Sequence, residues 1–87
     1  MRVDLYLKLM GITKTRMLAK RLCDQGKVLL GSKAIKPSQE VLAGEVLAIH
    51  LPQKELKLTI VEIPPLKSVA KSERAQFGSL EITREIE

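Results

Sequence analysis

Residues 14–21 read KTRMLAKR, and they open a segment that runs to Gly26 with the spacing of an amphipathic helix. At about 100° per residue, one arc of this helix carries the small and apolar side chains, Thr15, Leu18, Ala19, Leu22 and Cys23. The other side carries Arg16, Lys20, Arg21 and Asp24, together with Met17. The stretch therefore predicts a helix that packs one face on a core and presents a basic face to solvent or to an anion.

A shorter helix is predicted just before this one, over residues 2–10. Its apolar face carries Val3, Tyr6, Leu7 and Met10. Asp4 and Lys8 are four residues apart on a narrow polar stripe, the spacing of a helical ion pair. Gly11 is expected to end the helix, because glycine adopts the left-handed conformation that follows many helices.

Thr13 is the predicted N-cap of the second helix, since its hydroxyl can accept a hydrogen bond from a first-turn backbone N–H. The residue three places on is Arg16, so the sequence offers no capping box. Open backbone N–H groups at a helix start, beside Lys14 and Arg16, favour the binding of a phosphate. Gly26 is predicted to close this helix.

The chain then changes from helical to strand periodicity. Four strands are predicted, at residues 27–30, 33–35, 45–51 and 56–63. Gly31-Ser32 suits a type II′ hairpin turn, in which glycine supplies the positive φ. Residues 52–55 are predicted to form a turn. The phase of the last strand slips at Val61 and Ile63, which indicates a bulge or a second buried face.

The length of 87 residues predicts one small globular unit. Residues 1–63 are interpreted as the main domain and residues 64–87 as a short, partly ordered C-terminal extension, with Pro64-Pro65 at the boundary. Residues 68–77 are compatible with a short helix or with irregular structure. Residues 79–87 mix apolar and charged side chains, which leaves their secondary structure open.

Positive charge is concentrated in the N-terminal part of the chain. Residues 1–36 contain nine basic and two acidic residues, a net charge of +7, whereas residues 37–87 have a net charge of −2. Such an asymmetry produces a field that attracts polyanions to one part of the surface.

The residue types argue against catalysis, a cofactor or a metal site. The single cysteine, Cys23, falls on the apolar arc and is expected to be a buried small side chain, and His50 alternates with apolar residues in a strand. Tyr6 and Phe77 are the only aromatic residues besides His50, and Tyr6 is expected in the core, so the sequence offers no platform for stacking single-stranded bases. These features favour recognition of folded or double-stranded RNA through phosphates and shape, although charge alone does not exclude duplex DNA.

Cellular location is predicted from the absence of two signals. No apolar run approaches the 18 residues of a membrane span, and the first ten residues contain charges that do not fit a signal peptide. The sequence therefore predicts a soluble cytoplasmic protein.

Five pieces of the chain, in order and in register, resemble the RNA-binding domain named after ribosomal protein S-four. They are Arg2-Val3-Asp4, Lys14 through Ala19, Gly26-Lys27-Val28, Lys36-Pro37-Ser38, and Val41 through Gly44-Glu45. The resemblance covers about residues 1–51. It implies an α+β fold in which two N-terminal helices pack on a small, strongly bent antiparallel sheet, with RNA bound by the second helix and the adjoining hairpin.

The same resemblance implies a role for individual residues. Arg2 and Arg16 are the expected key contacts, because guanidinium offers a flat bidentate fork to phosphate oxygens. Other residues expected to widen the RNA-binding surface are Lys8, Lys14, Thr15, Lys20, Arg21, Lys27, Lys33 and Lys36. Thr15 either binds a phosphate or caps the helix. Asp4 is expected to orient a basic side chain by pairing with Arg16 or Lys8, or else to form a plain surface pair.

In its short length and its acidic end, the chain resembles the stand-alone branch of the family that acts in ribosome quality control. Members of this branch bind large ribosomal subunits that still carry a nascent chain on tRNA. The expected partners are therefore large-subunit ribosomal RNA and tRNA, with no membrane, no small-molecule substrate and no enzymatic activity, and the protein is expected to be a monomer.

Three alternatives remain open at this point. The chain is also compatible with a general structured-RNA or ribosome-assembly module. It is compatible with the RNA-binding fragment of an RNA-modifying enzyme, because this domain often precedes a pseudouridine synthase or a methyltransferase. Finally, Leu80, Ile82 and Ile86 are compatible with a docking strand for another protein.

Overall fold

Two N-terminal helices and a five-stranded antiparallel sheet form the core of the protein in a computed structural model, which describes residues 1–65 and 68–85. The helices are α1 (Val3–Leu9), α2 (Arg16–Asp24) and α3 (Arg74–Phe77), the last preceded by a 3₁₀ turn (Lys71–Glu73). The strands are β1 (Val28–Leu30), β2 (Lys33–Ala34), β3 (Val46–His50), β4 (Lys54–Ile60) and β5 (Gly78–Glu85). The predicted α+β fold class is confirmed.

Individual residues define the end of α1 and the start of α2. Gly11 follows α1 with φ +74°, so the predicted glycine stop is confirmed. Thr15, with an extended backbone, is the N-cap of α2, and its Oγ1 accepts a hydrogen bond from the backbone N–H of Leu18 at 3.2 Å. The prediction that Thr13 is the cap is wrong, because its hydroxyl instead donates to the carbonyl oxygen of Thr15 at 2.8 Å.

The strands form one sheet in the order β2-β1-β3-β4-β5. The hairpin between β1 and β2 turns at Gly31, which has φ +65°, as the sequence predicts. The predicted turn at residues 52–55 is too long, since Lys54 already starts β4. The irregularity predicted from Val61 is present where β4 ends: the strand stops at Ile60, and the backbone N–H groups of Val61 and Glu62 both donate to the carbonyl oxygen of Phe77, at 3.0 and 3.2 Å. A second register shift, which the sequence did not predict, lies near the start of β4, between Glu55 and Leu56.

The C-terminal segment contributes an edge strand to this sheet. β5 pairs antiparallel with β4, and Leu80 and Ile82 lie opposite Leu58 and Leu56. Both β5 side chains are about half exposed, at 51% and 53%. Ile86, the third apolar residue of the predicted docking strand, lies outside the described residues. The division of the chain at residue 63 stays a prediction, although β5 joins the same sheet as the strands before it.

The core lies between the helices and the inner face of the sheet. Leu47 and Ile49 of β3 are buried, which confirms the alternation predicted for that strand. On α2, Ala19 and Cys23 are the buried residues, whereas Leu18 is 41% exposed. The apolar arc predicted for α2 is therefore too wide on one side: Leu22 still packs against the core, whereas Leu18, at the edge opposite Cys23, does not belong to it.

Tyr6 connects α1 to the C-terminal segment through the core. Its side chain is fully buried, as predicted, and its hydroxyl donates to the carbonyl oxygen of Phe77 at 2.8 Å. Burial raises the pKa of Tyr6 to about 12. Gly78, the residue after Phe77, lies close to the side chains of Tyr6 and Met10. A Cβ at residue 78 would lie 2.7 Å from the Tyr6 hydroxyl oxygen and 2.8 Å from Cε of Met10. Within the described chain, no helix has the length and apolar character needed to cross a membrane.

Candidate nucleic-acid interface

A buried carboxylate, Asp4, joins the two arginines that the sequence singles out. Its Oδ2 accepts a hydrogen bond from Nη2 of Arg2 at 3.1 Å, and its Oδ1 lies 3.3 Å from Nε of Arg16. Oδ1 also accepts from the backbone N–H of Leu5 at 2.8 Å. The Asp4 side chain is only 4% exposed, so both of its oxygens are engaged inside the protein.

The fold brings these three side chains together from separate elements. Arg2 lies just before α1 in an extended segment, where Val3 N–H donates to the carbonyl oxygen of Gln39 at 2.8 Å. Arg16 is the first residue of α2, and its position follows from the Thr15 cap. Because α1 packs directly against α2, the carboxylate in the first turn of α1 faces the start of α2.

Electrostatics explains why this arrangement is stable and what it leaves available. An ionised carboxylate in a buried position is costly unless it is paired and hydrogen-bonded. Two guanidinium groups supply that pairing, yet each carries five N–H donors. Both arginine side chains remain 46% exposed. Arg2 and Arg16 are thus held in fixed orientations with donors directed to solvent, where phosphate oxygens can accept them.

Further charged side chains surround Arg2 and Arg16 in an open concavity of about 680 Å³. We call it the α2 basic surface, and it is lined by Arg2, Asp4, Arg16, Met17, Lys20, Arg21 and Asp24. Four cations outnumber two carboxylates, one of which is buried. Met17 is 66% exposed among them and offers an apolar contact. This composition suits a phosphate backbone better than a small uncharged ligand.

The structure does not bring all the predicted site residues to this surface. Lys8 and Lys14 line a separate pocket at the turn between α1 and α2. Lys27, half-buried, lines a groove between α2 and the end of β3. Lys33 and Lys36 are exposed at β2 and just after it.

Two features of the site were not found from the sequence. Asp4 pairs with Arg2 as well as Arg16, and among the described residues no ion pair joins it to Lys8. Helical spacing pointed to Lys8, and no local pattern connects residue 2 with residue 4 across the helix start. Arg74, which lines the pocket of Lys8 and Lys14, was also missed because it is distant in sequence.

The cysteine and the histidine, residue types often associated with catalysis, lie in surroundings that indicate a structural role. Cys23 is buried, as predicted, and burial raises its pKa to about 11, with smaller contributions from the negative charges of Asp4 and Asp24. A thiol with so high a pKa is a weak nucleophile at neutral pH. His50 Nδ1 lies 3.1 Å from Oε1 of Glu55, its neighbour across the β3–β4 pair.

Comparison with known proteins gives a consistent result. Residues 1–47 match the family model of the S4 domain. The chain is 38% identical over 73 residues to a protein of Helicobacter pylori named RQC P-site tRNA stabilizing factor, covering 84% of this chain and 87% of that protein. It is 36% identical over 75 residues to the Bacillus subtilis protein of the same name, covering 86% and 84%.

Solved structures show the same similarity in three dimensions. Heat Shock Protein 15 of Vibrio cholerae, described as trimeric, superposes with a TM-score of 0.83 and 26% identity, over 93% of this chain and 81% of that chain. The solution structure of a hypothetical protein superposes with a TM-score of 0.81 and 34% identity, over 98% of this chain and all of the other. The fold is therefore shared along nearly the whole length of the chain.

Proposed function

Because this chain belongs to the S4 domain family, we propose that it is an RNA-binding factor that associates with the large ribosomal subunit and contacts ribosomal RNA and peptidyl-tRNA in the quality control of stalled ribosomes. The names of its Helicobacter and Bacillus relatives, which refer to stabilisation of P-site tRNA, support this assignment. The match extends over more than four fifths of this chain and of each of these relatives, so the comparison applies to most of the chain rather than to one short segment.

The observation that carries the proposal is the carboxylate that holds two guanidiniums at one surface. Buried Asp4 contacts both Arg2 and Arg16, and their exposed donors lie beside Lys20 and Arg21. A preorganised pair of guanidiniums binds phosphates without first losing the rotational freedom of two long side chains. Such a surface can grip two neighbouring RNA elements at once, which is what holding a tRNA against ribosomal RNA requires.

Each predicted site residue has a role in this proposal. Arg2 and Arg16 form bidentate phosphate contacts, and Asp4 orients them. The lysines and Arg21 act as point charges that strengthen the field and speed association. Thr15 caps α2 and so positions Arg16. Binding is the whole activity: the protein acts in the cytoplasm as a monomer, by joining RNAs and without a cofactor or a chemical step.

The test is co-sedimentation of the full chain with separated small subunits, empty large subunits and large subunits carrying peptidyl-tRNA, over a salt series. The variants are Arg2→Ala and Arg16→Ala. The matched control is Arg84→Ala, which removes the same charge from β5, away from the α2 basic surface. We expect selective binding to tRNA-loaded large subunits, weakened by salt. Either site variant should lose about 1–3 kcal/mol if its guanidinium is bidentate to a base edge, and should weaken binding uniformly across RNAs if it meets only phosphate.

Two outcomes would contradict the proposal. If Arg2→Ala and Arg16→Ala remain folded and bind like Arg84→Ala, the α2 basic surface is not the RNA site. If the wild type binds every RNA offered equally well, the protein is a general structured-RNA binder, the alternative that its charge distribution also allows.

A further inference from the structure

Arg74 occupies an unusual position for a cationic side chain. It belongs to α3, yet its guanidinium lies directly over Gly11, at the turn between α1 and α2, where a Cβ on residue 11 would overlap it. Its Nε is buried and has no hydrogen-bond partner among the described residues. A guanidinium that is packed against backbone and lacks a counter-charge gains stability when an anion approaches it.

The surroundings of Arg74 are cationic. It lines an open pocket of about 320 Å³ together with Lys8 of α1 and with Thr13 and Lys14 from the α1–α2 turn. The described lining contains no carboxylate, and among residues 1–65 and 68–85 none of these three cations makes an ion pair. This contrasts with the α2 basic surface, where Asp4 compensates two arginines.

We propose that Arg74, Lys8 and Lys14 form a second phosphate-binding subsite for RNA, separate from the α2 basic surface. The inference rests on the proposed RNA-binding function and deepens it. Three converging cations without an acidic partner repel one another, and a phosphate relieves that repulsion while accepting hydrogen bonds from all three. Asp4 and Lys8 are one turn apart on α1, about 6 Å along the helix axis. The two sites therefore lie on neighbouring turns of the same helix, within reach of one bound RNA.

The subsite assigns a binding role to the C-terminal segment. The residues that match the S4 domain end at 47, so Arg74 comes from beyond the matched region. Tyr6 holds this segment in place through its hydrogen bond to the carbonyl oxygen of Phe77, three residues from Arg74. Gly11 makes the site possible, because a side chain there would displace the guanidinium.

The experiment measures the affinity of the full chain for large subunits carrying peptidyl-tRNA between about 50 and 200 mM salt. The variants are Arg74→Ala, Arg74→Lys and Lys8→Ala, and Arg84→Ala again removes one charge elsewhere. We expect Arg74→Ala and Lys8→Ala each to weaken binding about three- to tenfold and to lower the slope of log K against log salt by about 0.7–0.9, the effect of one phosphate contact. Arg74→Lys should keep most of the slope, because it keeps the point charge.

The outcomes separate this inference from the proposed function. If the wild type binds with a steep salt slope and Arg16→Ala loses affinity, while Arg74→Ala and Lys8→Ala both behave like Arg84→Ala, the second subsite is wrong and the proposed function stands. If the wild type shows no salt-dependent binding, the proposed function itself fails. Urea denaturation checks the fold of each variant. Should Arg74→Ala unfold, Lys8→Ala decides, since Lys8 is exposed and does not contact Gly11 in the way that Arg74 does.

Discussion

Replacing Asp4 with asparagine separates two roles that this carboxylate can have at the α2 basic surface. As a plain negative charge it would weaken the field that attracts RNA, and its removal would strengthen binding. As the group that orients Arg2 and Arg16, it would be required for binding despite its charge. The two roles predict effects of opposite sign from one substitution that preserves the shape of the side chain.

The structure gives the expected magnitudes. Asp4 accepts from Leu5 N–H at 2.8 Å and from Arg2 at 3.1 Å, and it lies 3.3 Å from Arg16. Hydrogen bonds to charged groups are worth about 1.5–3 kcal/mol each when buried. Because both arginines are nearly half exposed and rehydrate when released, we expect Asp4→Asn to lower the free energy of unfolding by about 1–2 kcal/mol, or the Tm by about 5–15 °C.

The affinity of Asp4→Asn for RNA should fall by more than its loss of folding stability explains. Loss of orientation at two guanidiniums removes up to two phosphate contacts, so the salt slope should fall by about 1–2 and the affinity by about tenfold at moderate salt. The assay is a salt titration of affinity for large subunits carrying peptidyl-tRNA, at a temperature where urea denaturation shows the variant to be folded.

Asp24→Asn is the matched control. Asp24 lines the same surface and undergoes the same change of charge, but its side chain is exposed. We expect this variant to bind as well as the wild type or a few-fold more tightly, because the field becomes more positive. The reasoning is refuted if folded Asp4→Asn binds RNA as tightly as Asp24→Asn, with an equal or steeper salt slope.

Three further predictions concern the fold that supports the site. Gly78→Ala should destabilise the protein by about 1–3 kcal/mol in urea denaturation, because a Cβ there would lie 2.7 Å from the Tyr6 hydroxyl oxygen. The pKa of Tyr6 is raised from 10.0 to about 12, so the unfolded state loses the Tyr6 proton first and the free energy of unfolding should fall as pH rises from 10 to 12. The Tyr6→Phe variant should lack this pH-dependent fall. An equal fall in the variant would exclude Tyr6 as its source. Thr15→Ala should cost about 1 kcal/mol through loss of the α2 cap, whereas Thr13→Ala should cost clearly less; equal losses in thermal unfolding would contradict the capping assignment.

Several elements were predictable because their signals are local. Gly11, Gly26 and Gly31 all have positive φ and stand at the predicted helix ends and hairpin turn. The alternation of Leu47 and Ile49 correctly predicted the buried face of β3. Where two local signals competed, prediction failed: Thr13 and Thr15 both suit an N-cap, and only the backbone conformation of the helix start selects Thr15.

Tertiary packing decided features that no local pattern contains. Periodicity gives the direction of the apolar face of α2 but not its width, so Leu18 was placed in the core and is 41% exposed. The C-terminal residues had no clear period because β5 is an edge strand, whose stability comes from its pairing with β4 rather than from an apolar face of its own.

The sequence by itself determined the elements, the order in which they occur and the concentration of cations near α2, because helix and strand periods, glycine conformations and charge are properties of neighbouring residues. Only the tertiary structure decided which charges meet. The sequence left Arg16 and Lys8 as alternative partners of Asp4. Packing of α1 on α2 selects Arg16 by burying the carboxylate against it, and the extended segment before α1 brings in Arg2. In the same way, Arg74 reaches Gly11 because the C-terminal segment folds back over the helix turn. Burial removes competing water from the Asp4 contacts, which strengthens the pairs that packing forms over the Lys8 pair that helical spacing alone suggests.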